Sequence, residues 1–224
     1  MNMPPLKDQL LETLIASNRK GADELIDRIL AEGMTLEHVI MDVVSPALSD
    51  LGKLWENKSV SLAQNFVAVR TLEDFMQRYQ PSADTGQPIP SQGPVVIGNI
   101  EDDFHGLGRR IVTTFLRAAG WQIHDLGNDV TAEQFVDKAL EEQATVVAAS
   151  AMTQTSAMNI RKLRDLIDAR GLRDRLKLAV GGAVFNWRPD LVAEVGGDGT
   201  TQNAAGANAL MQRLQAEVKG ASQA

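Results

Sequence analysis

The apolar positions of this chain follow two different periods. Over residues 1–80 the period is helical. Leu6, Leu10, Leu14 and Ile15 share one face, as do Leu25, Ile29 and Leu30, with Gly21 and Gly33 as punctuation. A third helix opens at Thr35, ahead of Glu37 and His38, with Leu36, Val39, Ile40, Val43 and Val44 apolar. Pro46 is expected to kink or interrupt it. A fourth runs from about Ser61 with Phe66, Val69, Leu72 and Met76 on one side. Four helices of this length predict a four-helix bundle. Residues 81–94 fall in the stretch QPSADTGQPIPSQGP, whose Pro, Gly, Ser and Gln content reads as a linker. Beyond it, residues 95–224 alternate strand and helix. Apolar runs at Val95–Ile97, Trp121–Ile123, Val146–Ala149 and Leu176–Val180 are separated by helical patterns at Leu107–Ala119, Ala132–Leu140 and Ile160–Ala169. A short fifth strand is expected near Gly197–Gly199, and a last helix from about Asn203. Alternation of this kind means right-handed crossovers and a parallel sheet covered on both faces. The predicted class is therefore α plus α/β: a four-helix bundle, then a Rossmann-like (flavodoxin-like) domain with a five-stranded parallel sheet.

Composition narrows the chemistry. The 224 residues carry a net charge of −7 with no basic run, so binding to nucleic acid or another polyanion is not expected. The absence of cysteine removes disulfides, thiolate metal sites and cysteine nucleophiles. The N-terminal MNMPPLKDQLLETL lacks a continuous apolar run and a cleavage pattern, and no stretch reads as a bilayer span. The expected location is cytoplasmic, without a membrane partner. No Walker loop, dinucleotide fingerprint or serine-hydrolase elbow is present.

The candidate chemistry lies in Asp103-Phe104-His105-Gly106-Leu107-Gly108, where a buried strand turns into a helix. That places an imidazole at the carboxyl end of the first strand, the edge where open parallel sheets bind ligands. Histidine is the commonest metal ligand, and a carboxylate two residues earlier can accept its second ring N–H. Taken alone, such a loop histidine is as readily explained as a solvated side chain. Two other segments fall on the same edge: Ser150-Ala151-Met152 ends the third strand, and Gly181-Gly182 ends the fourth. Ser150 reads either as a ligand contact, with Thr153 and Thr155 close by, or as a helix N-cap. Gly181-Gly182 reads either as a close approach to a bulky ring or as a plain turn. Trp187 and Pro189 shape the loop that follows, and His38 and His124 have no metal-ligand spacing to a partner.

Together these segments resemble the cobalamin-binding domains, whose signature is Asp-x-His-x-x-Gly followed by a serine segment and a Gly-Gly. The resemblance implies that His105 is the lower axial ligand of cobalt, displacing the cofactor's own dimethylbenzimidazole. It implies a cobalamin site, for methylcobalamin or another corrinoid, formed by Asp103, Phe104, His105, Gly106, Leu107, Gly108, Ser150, Met152, Thr153, Thr155, Gly181, Gly182 and Ala183. Leu51-Gly52-Lys53-Leu54-Trp55, followed by Ser59–Gln64, is similar to the helical cap of corrinoid proteins. That adds Trp55 and Phe66 as cofactor contacts, with a bundle-core position as the alternative for Trp55. The chain departs from those carriers at Gly106, often acidic there; at Arg109, often lysine; and at Gln154, often a small hydroxyl residue.

The activity this resemblance implies is that of a methyl carrier. A substrate-specific methyltransferase would load the cofactor, and an acceptor methyltransferase, tetrahydrofolate-dependent or similar, would unload it; a reductive activase is a further implied partner. The alternative is a cobalamin-dependent light or redox sensor or antirepressor acting through a protein partner. Against the DNA-binding type stand the acidic charge and Asn65-Phe66, where that type carries a Glu-His pair. A mutase small subunit is a third reading, which the helical first domain fits poorly.

Overall fold

The computed structural model describes residues 4–79 and 92–221, which fall in two compact units divided between Ser82 and Ala83. The expected linker lies outside the described residues up to position 91.

The first unit is helical. It comprises α1 (Leu6–Ile15), α2 (Arg19–Ala31), the short α3 (Leu36–His38), a π-helical turn (Val39–Val44), α4 (Ser45–Glu56) and α5 (Leu62–Arg78). Local chemistry sets the helix starts. Asn18 accepts the Gly21 N–H at 3.0 Å, and Ser61 and Gln64 form a reciprocal capping box. Helix α1 packs on α2, α4 and α5 around Leu10, Leu14, Ile26, Ile40, Leu51, Leu72 and Phe75, all buried. Each such side chain contributes about 1.5–3 kcal/mol of transfer free energy. The expected break at Pro46 takes another form. Pro46 sits in the first turn of α4, and the wider π turn just before it makes room for a ring that would crowd a carbonyl in a regular helix. A second correction concerns α5. Its buried face is Ala68, Thr71, Leu72, Phe75 and Met76, while Phe66 is 68% exposed. Trp55 is 41% exposed and is not a core residue.

The second unit is α/β. Strands β1 (Gln92–Asn99), β2 (Trp121–Asp125), β3 (Val146–Ser150) and β4 (Lys177–Gly181) form one parallel sheet in the order β2-β1-β3-β4. Strand β1 begins at Gln92, inside the expected linker, because Gln92 and Pro94 already pair with Trp121 and Gln122. Side chains alternate between two cores. Val96, Val147, Ala149, Leu178 and Val180 face α7 (Ala132–Glu141) and α8 (Gln154–Ala169) through Phe135, Ile160 and Leu163. Val95, Ile97, Val146, Ala148 and Ala179 face α6 (Leu107–Ala118) and α11 (Ala207–Ala221) through Leu116, Leu210 and Leu214. Helix α8 starts six residues earlier than its apolar pattern suggested, because Thr153 and Ser156 form a capping box. Two short helices, α9 (Ala183–Trp187) and α10 (Leu191–Glu194), follow β4.

The expected fifth strand is absent among the described residues. At Gly197–Gly199 there is a single bridge, Ala179 to Gly199. Gly197 and Gly199 offer no side chains to a pleated surface. A side chain completes the edge instead: Asp198 accepts the Leu178 N–H on its carboxylate at 2.6 Å and is held by Arg164, whose Nη2 lies 2.5 Å from it and whose Nε donates to the Gly196 carbonyl at 2.8 Å.

Candidate functional site

Strands β1 and β3 are neighbours, and the chain leaves them in opposite directions, to β2 on one side and β4 on the other. This is the switch point where parallel sheets open a crevice at their carboxyl ends. The loops leaving β1 and β3 there hold Asp103 to Gly106 and Ala151 to Thr153.

Asp103 is 1% exposed and organises both loops. Its Oδ1 accepts the Asn99 amide at 2.8 Å and the His105 backbone N–H at 2.9 Å. Its Oδ2 accepts the Met152 N–H at 2.6 Å and the Ser156 hydroxyl at 2.9 Å. Burial pushes this carboxyl up, but the Met152 and His105 N–H groups, with Asn99 and Ser156, outweigh burial and hold it below the ordinary range. It is therefore an anion fixed from two loops. The His105 ring stands beside it, Nδ1 3.4 Å from Oδ1, with the side chain 60% exposed. A buried carboxylate behind one ring nitrogen leaves the other turned outward.

The remaining expected residues divide into two groups. Phe104 (64%) and Met152 (37%) are large apolar side chains exposed on the loops after β1 and β3, and Trp187 (64%) is exposed at the end of α9, which follows β4. Gly108 and Gly181 are open, since an added Cβ at either would meet nothing within 4 Å. Thr153 and Thr155 are exposed at the start of α8, and Ala183 begins α9. By contrast, Gly106 and Leu107 are buried. Gly182 is required by the fold, because its φ is +113° and a Cβ would lie 1.9 Å from the Ala151 carbonyl oxygen. Ser150 is not the helix cap, a role that Thr153 fills. It ends β3 opposite Gly181, and its carbonyl accepts the Ile100 N–H at 3.0 Å. Trp55 and Phe66 belong to the helical unit, exposed on its surface. His38 is exposed, and His124 lies 3.4 Å from Glu142, away from this edge.

Sequence reading missed Asn99, Ser156 and Asp125. A polar residue closing the run Val95-Val96-Ile97-Gly98-Asn99 was the one available signal. Asn99 is fully buried, donating to Asp103 and accepting from Arg109.

This arrangement suits one kind of metal. Among the described residues no three His, Cys, Asp or Glu side chains gather to hold a bare ion. A lone imidazole with a buried carboxylate behind it, on an apolar rim with glycine gaps, fits a metal whose other positions a macrocycle fills. Residues 93–209 match the model of a B12 binding domain, and residues 6–79 match a second model that is also a B12 binding domain. These matches define a cobalamin-binding protein. More particularly, the chain belongs to the family of corrinoid proteins with a B12 binding domain. It is 31% identical to trimethylamine corrinoid protein 1 of Methanosarcina acetivorans over 183 residues, covering 80% of this chain and 85% of that one. It is 29% identical to dimethylamine corrinoid protein 2 of Methanosarcina mazei, covering 93% and 98%. The structure of the Methanosarcina barkeri monomethylamine corrinoid protein superposes with a TM-score of 0.79 at 29% identity, covering 94% of this chain and 98% of that one. No described helix is long and apolar enough to cross a membrane.

Proposed function

We propose that this chain is a methyl carrier that holds its corrinoid on the carboxyl edge of the sheet, with His105 as the lower axial ligand of cobalt. The observation that carries this reading is the exposed His105 ring backed by a buried, four-fold hydrogen-bonded Asp103. When bound, cobalamin supplies a cobalt centre that takes up and releases a methyl group. The protein's part is binding, orientation and access. Asp103 favours the proton on Nδ1 of His105 and so leaves Nε2 as the donor atom. Phe104, Met152 and Trp187 offer apolar surface to the macrocycle, Gly108 and Gly181 leave it room, and Ser150, Thr153 and Thr155 offer hydroxyls to the polar tail. This reading also assigns Trp55 and Phe66 of the helical unit to the cofactor.

The relatives named above are trimethylamine, dimethylamine and monomethylamine corrinoid proteins. We therefore assign the donor to the methylated amines, delivered by a substrate-specific methyltransferase, with a second methyltransferase as acceptor enzyme and a reductive activase restoring the reduced cofactor.

The decisive comparison is the visible spectrum of wild type and His105→Ala, each reconstituted with methylcobalamin. A histidine-ligated band in wild type, lost in the variant, is expected; matching spectra would overturn the ligand assignment. The donor class is tested by incubating reduced protein and cell extract with labelled mono-, di- and trimethylamine. Label on the protein from at least one amine is expected, and none from any would reject this donor class.

A further inference from the structure

Behind His105 lies a second layer of polar groups that ligand contact does not explain. The Asn99 amide is fully buried, and its orientation is set from both ends. Its nitrogen donates to Asp103 Oδ1 at 2.8 Å and to the His105 carbonyl at 3.2 Å, and its oxygen accepts from Arg109 Nη1 at 2.6 Å. Only one amide orientation satisfies two acceptors on one side and a pure donor on the other. Arg109, 5% exposed, then spreads into the loop after β2. Nη1 reaches the Gly127 carbonyl and Asn128 Oδ1, each at 2.6 Å, and Nε lies 2.8 Å from Asp125 Oδ1. Asn128 in turn donates to the Phe104 carbonyl at 3.3 Å. Gly106 makes the space: a Cβ there would stand 3.0 Å from Asn128 Oδ1 and 3.6 Å from Arg109 Nη2.

We infer that Asn99 and Arg109 are positioning residues for the axial histidine, acting through Asp103 and the backbone of residues 104–105 and touching no ligand themselves. The inference rests on the assignment of His105 as the ligand. Its physical content is that one buried guanidinium nitrogen, Nη1, ties the Asn99 amide at the end of β1 to Gly127 and Asn128 in the loop after β2. Without the tie, Asp103 and the His105 backbone lose the frame that holds the ring ready, and ligation must pay for ordering the loop.

The test uses the full chain reconstituted with methylcobalamin. Wild type, Arg109→Met, Asn99→Ser and Arg164→Lys are compared by the ratio of histidine-ligated to histidine-free spectrum and by the apo-protein melting temperature. Loss of such outer partners typically costs about 10-fold to 100-fold in metal binding. The ligated-to-free ratio should fall by that order in Arg109→Met and Asn99→Ser. Arg164→Lys alters an equally buried arginine that does not touch this loop, and should lower the melting temperature while keeping the wild-type ratio. A wild-type ratio in both network variants, or a matching fall in Arg164→Lys, would overturn the inference. Should Arg109→Met fail to fold, Asn99→Ser, which removes the bridging amide and keeps the charge, decides alone. If wild type itself shows no histidine band, the His105 assignment has failed instead.

Discussion

Arg164 and Arg109 are buried to the same degree, at 4% and 5% exposure, on opposite sides of one sheet. Arg164 serves the β4 side. Besides Asp168 on its own helix, its acceptors are Gly196 and Asp198, which lie in one segment, and the cluster finishes a sheet edge that has no fifth strand among the described residues. Arg109 serves the β1 side. Its acceptors come from the end of β1 and the loop after β2, and they converge on a loop whose histidine is 60% exposed. The same guanidinium chemistry closes the fold in one place and readies a ligand in the other. What differs is whether the tied groups end at a core or at an open edge. Damage on the β4 side should therefore appear as stability, and damage on the β1 side as ligation.

The largest effect is expected from Arg164→Leu. It leaves the Asp198 carboxylate without its buried counterion, and breaking such a pair costs about 3–5 kcal/mol. Urea unfolding of the apo protein measures this. The folded fraction should still show histidine ligation, and a parallel loss of ligation would break the comparison. Next comes the pair at the end of β4. Gly182→Ala should cost at least about 1–3 kcal/mol from its backbone conformation alone, with the clash on Ala151 adding to it. Gly181→Ala should stay within about 0.5 kcal/mol, because that position faces open space. Equal costs at the two glycines would show that the open edge is not open.

His105→Ala sharpens the other side. Ligation should vanish while stability changes by no more than about 0.5 kcal/mol, as for an exposed side chain. A larger loss would make His105 part of the fold. The smallest effect sets the floor of the comparison and lies in the helical unit. Asp50 is held down to about 2 by the Lys53 and Lys7 amines, each 2.8 Å away. Its folded value is below its unfolded one, so its contribution is full above the ordinary 3.8 and is lost as pH falls through about 2. The melting-temperature difference between wild type and Asp50→Asn should therefore be small at neutral pH and disappear below about pH 2. A difference that grew in acid would reverse the sign.

Much of the fold was legible because short-range physics writes it. Ser61 with Gln64 and Thr131 with Gln134 mark helix starts through residues three apart, and the apolar runs of β1 to β4 are continuous because both faces of a parallel sheet are covered. The site was legible as a set of loops because strand order places them on one edge. The misreadings share a cause. Phe66 has the residue type of a core position, but the buried face of α5 is turned away from it. The segment at Gly197–Gly199 looked like a strand and is a single bridge completed by a side chain.

The sequence by itself determined the two-part organisation, the parallel α/β class and the Asp103–His105 pair on a strand-to-helix loop. Periodicity, capping and turn chemistry act over a few residues and can be read in order along the chain. Only the tertiary structure decided which polar groups stand behind that pair. Asp103 meets Met152 and Ser156, 49 and 53 positions away, and Arg109 meets Asn128, 19 away, because neighbouring parallel strands bring their carboxyl ends together. A buried carboxylate must gather its donors from whatever the fold places within about 3 Å, and chain order does not record that neighbourhood.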